Sequence, residues 1–91
     1  MYTIKKYSYD KAKKLGVNIK PSTRKNKKLD VYKNNKKIAS IGALGYGDYP
    51  TFIQTEGLTS ANNHRKKYKM RHNKDRHVKN SPGYYADQLL W

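Results

Sequence analysis

Apolar positions fall in short groups separated by long polar stretches, and each group predicts one element. Between Ser8 and Gly16 the pattern predicts a short helix with Ser8 as its N-cap and Asp10 in the first turn. Lys13 and Lys14 lie in its last turn, Gly16 suits the left-handed C′ position, and Val17 follows. Residues 18–28 are polar and stiffened by Pro21, which predicts a surface strand or an arm. Leu29–Lys33 and Lys36–Ile41 flank Asn34-Asn35, whose tolerance of positive φ suits a type I′ hairpin turn. A two-residue turn there sets Val31 opposite Ile38, Leu29 opposite Ser40 and Tyr32 opposite Lys37.

Three glycines and Pro50 punctuate residues 42–50, which predicts a structured loop with Tyr46 and Tyr49 covering the hairpin. Phe52 and Ile53 are expected to be buried. The longest helix is expected over Ala61–Arg76, starting at Thr59 or Ser60, with Ala61, His64, Tyr68 and His72 on its inner face. Ser81-Pro82 is an N-cap followed by an N1 proline and opens a helix to Leu90. That last segment holds Tyr84, Tyr85, Leu89, Leu90 and Trp91 and is the most apolar in the chain. Trp91 is expected as an anchor, seated on the hairpin face of Val31 and Ile38 or in a partner's pocket. The fold class is α+β: a small single domain over 1–91, with an antiparallel hairpin, a long basic helix and short N- and C-terminal helices. Residues 1–28 could stand apart as a basic N-terminal arm.

Charge changes this picture most. The 21 Lys and Arg against 6 Asp and Glu leave a net +15 on 91 residues, enough self-repulsion to favour a polyanionic partner. The charge is blocked: 13 basic residues lie between Lys5 and Lys37, none between Ile38 and Asn63, and 8 between His64 and Lys79. Aromatic residues reach 12%, which supports a folded core rather than a disordered basic tail. Lys outnumbers Arg 17 to 4, a bias toward point-charge phosphate contacts over bidentate base reading. The expected nucleic-acid contacts are Arg24, Lys25, Lys27 and Lys28 in the first block. In the second they are Arg65, Lys66, Lys69, Arg71, His72, Lys74 and Arg76. Tyr46, Tyr49, Tyr68, Leu89, Leu90 and Trp91 are the expected anchors to core or partner.

Little points to catalysis. With no Cys, disulfides, thiolate chemistry and Cys-based zinc sites are excluded. The six acids are dispersed, and His64 and His72 are two helical turns apart, too far to share a metal as an i, i+4 pair would. A metal-dependent nuclease, the third expectation after nucleic-acid binding and a capsid role, would have to gather His64, Asn63 and Asp48 or Glu56. Gly45-Tyr46-Gly47-Asp48 matches neither common phosphate-loop pattern. A non-enzyme with no cofactor and no metal is expected.

The order Lys20–Lys28, hairpin, Gly45-Tyr46-Gly47-Asp48-Tyr49, Arg65–Tyr68 with Arg71-His72, and Leu89-Leu90-Trp91 resembles a family. It is a set of short basic proteins of unknown function from large eukaryotic DNA viruses, phycodnavirus- and mimivirus-like, and from related environmental viral sequences. The likeness covers roughly residues 20–91. Pro50-Thr51 departs from it where Thr then His is expected, which removes one potential metal ligand. The resemblance implies a viral origin and no activity. The leading expectation is therefore a viral protein that binds nucleic acid, DNA first, through phosphates in genome packaging or the virion. The alternative is a minor capsid protein bridging acidic virion proteins. No 18-residue apolar run or secretory leader is visible, so the expected location is the virion or the host cell interior, with no membrane partner.

Overall fold

The computed structural model describes residues 2–91. Its elements run α1 (Lys6–Leu15), β1 (Asn18–Pro21), β2 (Lys27–Lys33), β3 (Lys36–Ala43), α2 (Tyr49–Glu56), α3 (Leu58–Arg71), a 3₁₀ turn (Asp75–His77) and α4 (Pro82–Leu90). The α+β class expected from the sequence is the one found.

Helix α1 starts earlier than Ser8, with Lys5 at the N-cap and no side-chain cap. Ser8 therefore sits inside the helix, fully buried, and its hydroxyl donates to the Leu89 carbonyl at 2.6 Å. It caps another helix's end instead: that carbonyl lies in the last turn of α4, where backbone acceptors have no helical partner. Asp10 is likewise outside the first turn and pairs with Lys6 at 2.8 Å. The C-terminus is as expected. Gly16 takes φ 74, its N–H reaches Lys13 and that of Val17 reaches Ala12, closing a Schellman motif.

The sheet is antiparallel in the order β1-β2-β3. Residues 18–21 pair with 29–32 and bury Ile19, so within the stretch that could stand apart over 1–28, α1 and β1 are packed into the domain. Asn34 and Asn35 hold φ 53 and 64, as the hairpin turn requires. Tyr32 opposes Lys37, but beyond it the register slips by one: Val31 opposes Ala39 and Leu29 opposes Ile41. A β-bulge absorbs Ile38, which is turned outward and exposed, and Ala39 and Ile41 take the inner places. Burial explains the choice, since the bulge matches Leu29 with Ile41 where an unbroken ladder would match it with Ser40.

The core gathers Ile4, Ala12, Val17, Ile19, Leu29, Val31, Ala39, Ile41, Tyr85, Leu89 and Leu90. Helix α4 supplies the last three and packs against β3 and α1. Ser81 caps it by accepting from the Tyr84 N–H at 3.1 Å, with Pro82 in the first turn. Gly42 (φ 79) lets β3 approach this helix, since a Cβ there would lie 2.8 Å from Leu90 Cδ1.

The expected loop ends early. Asp48 accepts from the Thr51 N–H at 3.0 Å and, with Pro50 behind it, opens α2. Helix α2 lies along α3, so Phe52 is only half-buried and Ile53 is exposed, not the core pair expected. Helix α3 ends at Arg71 instead of Arg76, and the chain turns to dock Asp75–His77 against α4. Gly83 permits that approach: a Cβ would sit 3.0 Å from the Asp75 Cβ. No helix is long and apolar enough to cross a membrane among the described residues.

Candidate functional site

Every acidic side chain has a partner within the chain. Asp10 meets Lys6, Glu56 accepts from Ser60 at 2.6 Å and lies 3.0 Å from His64 Nε2, and Asp75 lies 3.6 Å from His72. The other three are buried. Asp30 accepts from the Ser22 and Ser40 hydroxyls, both at 2.6 Å, with Lys37 at 3.9 Å. Asp48 accepts from Lys28 Nζ at 2.8 Å and the Tyr2 hydroxyl at 2.7 Å. Asp87 accepts from Lys69 Nζ at 2.7 Å, with Arg76 at 3.9 Å.

Burial alone would raise the carboxyls of Asp30 and Asp48. The hydrogen bonds they accept and the Lys37 or Lys28 charge outweigh it, and both are held below the ordinary 3.8. A pKa lower in the folded than in the unfolded chain gives stability that is present above the unfolded value and lost as pH falls through the folded one. Urea unfolding midpoints are therefore expected to stay level from neutral pH to about 5 and to drop below about 4. Asp48→Asn is expected to flatten that drop; an unchanged acid limb would mean Asp48 titrates alike in both states. The Tyr2 hydroxyl, half-buried and donating to Asp48, is pushed well up.

Five of the 21 Lys and Arg reach a carboxylate: Lys6, Lys28, Lys37, Lys69 and Arg76. The other sixteen come within 4.0 Å of none among the described residues. The expected contact residues thus divide. Arg24 and Lys25 are exposed in the β1–β2 turn, Lys27 is half-buried, and Lys28 is buried against Asp48. On α3 and beyond, Arg65 lies over the Tyr49 ring at 4.0 Å, while Lys69 and Arg76 hold Asp87. Lys66, Arg71 and Lys74 are exposed, and His72 stacks on Tyr68 at 4.4 Å. Lys67, absent from the expected set, projects beside Arg71; their i, i+4 spacing was the signal that could have found it.

The two edges of α3 therefore differ. One carries Arg65 and Lys69, stacked or neutralised, with the unengaged Lys66 beside them. The other carries Lys67 and Arg71 and borders an open cleft of about 520 Å³ between α3, the C-terminus and the 42–47 segment. Phe52 lies parallel to His64 at 3.7 Å, with its other side against Gly47, where a Cβ would fall within about 2.3 Å of the ring. Trp91 stacks on Tyr68 at 4.4 Å and 8°, with Phe52 6.1 Å away. Burial and then the charges of Asp87 and Asp75 push the Tyr68 hydroxyl up to about 12, so it stays neutral.

Of the expected anchors, Leu89 and Leu90 are core and Tyr68 and Tyr49 are buried, Tyr49 donating to Asn62 at 2.8 Å. Trp91 stacks on Tyr68 and packs against the edge of the core, while Ile38, turned outward by the bulge, lies outside that core. Tyr46 does not cover the hairpin; it is 77% exposed at the cleft mouth. The nuclease set is only half assembled. Glu56 and His64 meet, but Asp48 is enclosed by Lys28 and Tyr2, and no three His, Cys, Asp or Glu gather to hold a metal among the described residues.

These features define a small α+β domain with a cationic helix beside an aromatic cleft. A model described as a family of unknown function, DUF5754, matches residues 17–51, from just after α1 through the sheet into the start of α2. No curated protein and no solved structure matches the chain.

Proposed function

We propose that the protein is a non-enzymatic binder of nucleic acid that holds the polyanion through phosphate contacts along α3. The observation that carries this reading is the unequal use of charge: all six acids are engaged internally, and sixteen cations remain without a carboxylate. Lys66, Lys67 and Arg71 are all exposed on α3. Lys67 and Arg71 lie one turn apart at the cleft and Lys66 on the outer face beside Lys69 and Met70, so each can meet a phosphate. The resemblance to basic viral proteins makes a packaged genome the polyanion in this reading.

Changing Lys66, Lys67 and Arg71 together to Gln is expected to weaken binding to all sequences alike. The slope of log affinity against log salt should fall by about 3. Lys69 is left alone, because its loss would strip Asp87 of its nearest cation. Gel shifts across a salt series measure both quantities. A sequence-selective loss would mean that α3 reads bases. Polyglutamate binding as tightly as DNA would transfer the reading to acidic virion proteins.

A further inference from the structure

Beyond the phosphate contacts, we infer that the cleft beside α3 seats an unpaired base, so that single strands are held ahead of duplex. This inference rests on the nucleic-acid reading and names the form of the ligand. The cleft combines two chemistries that phosphate binding alone does not need. Its walls present aromatic rings, and its rims carry Lys67 and Arg71 on one side and Lys27 on the other, none of them within reach of a carboxylate. An apolar peptide would use the rings and leave the cations idle. A nucleotide uses both: its base meets the rings and its flanking phosphates meet the rims.

The rings differ in how firmly they are held. Phe52 is fixed between Gly47 and His64, and Trp91 is fixed by Tyr68, so the interior is preformed. Tyr46 stands at the mouth, 77% exposed, between Gly45 (φ 90) and Gly47, and its hydroxyl makes no hydrogen bond among the described residues. It is placed to close over a base from the solvent side. The cleft volume of about 520 Å³ lies within the range of roughly 300–1,000 Å³ usual for small-molecule sites. In a duplex the bases are stacked and paired and offer only their edges, whereas a single strand can splay a base onto aromatic side chains.

The test compares three probes of equal length: oligothymidylate, an abasic oligomer with the same phosphates, and a duplex. Trp91 is the only tryptophan, so its emission reports on the cleft directly. Oligothymidylate is expected to bind about 5- to 100-fold tighter than the abasic oligomer, the usual worth of base stacking, and to quench Trp91. Tyr46→Ala, on an exposed side chain that the fold does not need, is expected to reduce that advantage. Quenching that survives Tyr46→Ala still seats the base in the cleft and assigns its stacking to Trp91. Equal affinity for the normal and abasic strands, with Trp91 emission unchanged, would overturn the inference and leave the phosphate reading standing. So would a base preference with neither quenching nor sensitivity to Tyr46→Ala. Binding to none of the three probes would remove the nucleic-acid reading and this inference with it.

Discussion

Replacing Asp48 by Ala is expected to lower the unfolding free energy by about 3–5 kcal/mol, the cost of leaving a buried charge unpaired. The charge is that of Lys28, whose side chain is 4% exposed and donates to Asp48 at 2.8 Å. The same carboxylate caps α2 through Thr51 and accepts from Tyr2, so its loss also frees a helix N-terminus and unpairs a half-buried hydroxyl. Urea unfolding measures the loss. If the stranded ammonium is the cause, adding Lys28→Met to Asp48→Ala should recover much of it, because a buried ion pair can be replaced by apolar groups at little cost. A single-variant loss below about 1 kcal/mol would show that water reaches Lys28.

Trp91→Ala is expected to cost about 3 kcal/mol, the low end for truncating a buried aromatic, because the indole is only partly covered. Its ring lies flat on Tyr68, and its backbone carbonyl accepts from the Tyr7 hydroxyl at 3.1 Å, so it joins α3 to α1 as well as closing α4. Thermal melts of Trp91→Ala and Trp91→Phe separate the contributions. Phe should retain most of the stability if stacking matters, since it keeps a ring over Tyr68. An unchanged melt for Trp91→Ala would remove the residue from the list of structural anchors.

The elements that were legible in the sequence are those set by local chemistry. Asn34-Asn35 specifies a two-residue turn, Gly16 a left-handed helix end, and Ser81-Pro82 a helix start, and all three appear where expected. Expectations failed where distant contacts decide. The bulge at Ile38 arises because the core favours Ile41 opposite Leu29, which no feature of the hairpin sequence announces. Ser8 has the chemistry of a cap but serves the far end of the chain. Asp48 also has that chemistry, and reading Asp48-Tyr49-Pro50 as a cap with an early proline would have found α2. Of the candidate site, the basic helix was visible as a run of charge. The division of its cations into engaged and unengaged was not, because it depends on Asp87 and Tyr49 arriving from other parts of the chain. The aromatic cleft joins residues as far apart as Phe52 and Trp91, a separation that no motif spans.

The bulge at Ile38 also bears on how the protein behaves among its own copies. Strand β3 is an outer strand of the sheet, and outer strands offer unpaired backbone groups to any extended chain that can lie flat beside them. Here the extra residue bends the strand just after Lys36 and Lys37, so an approaching edge meets two ammonium groups and then a break in the hydrogen-bonding rhythm. The irregularity that aligns the core thus also guards the sheet against edge-to-edge stacking. A basic protein crowded along a polyanion, with its mutual repulsion screened by that polyanion, has particular need of such a guard.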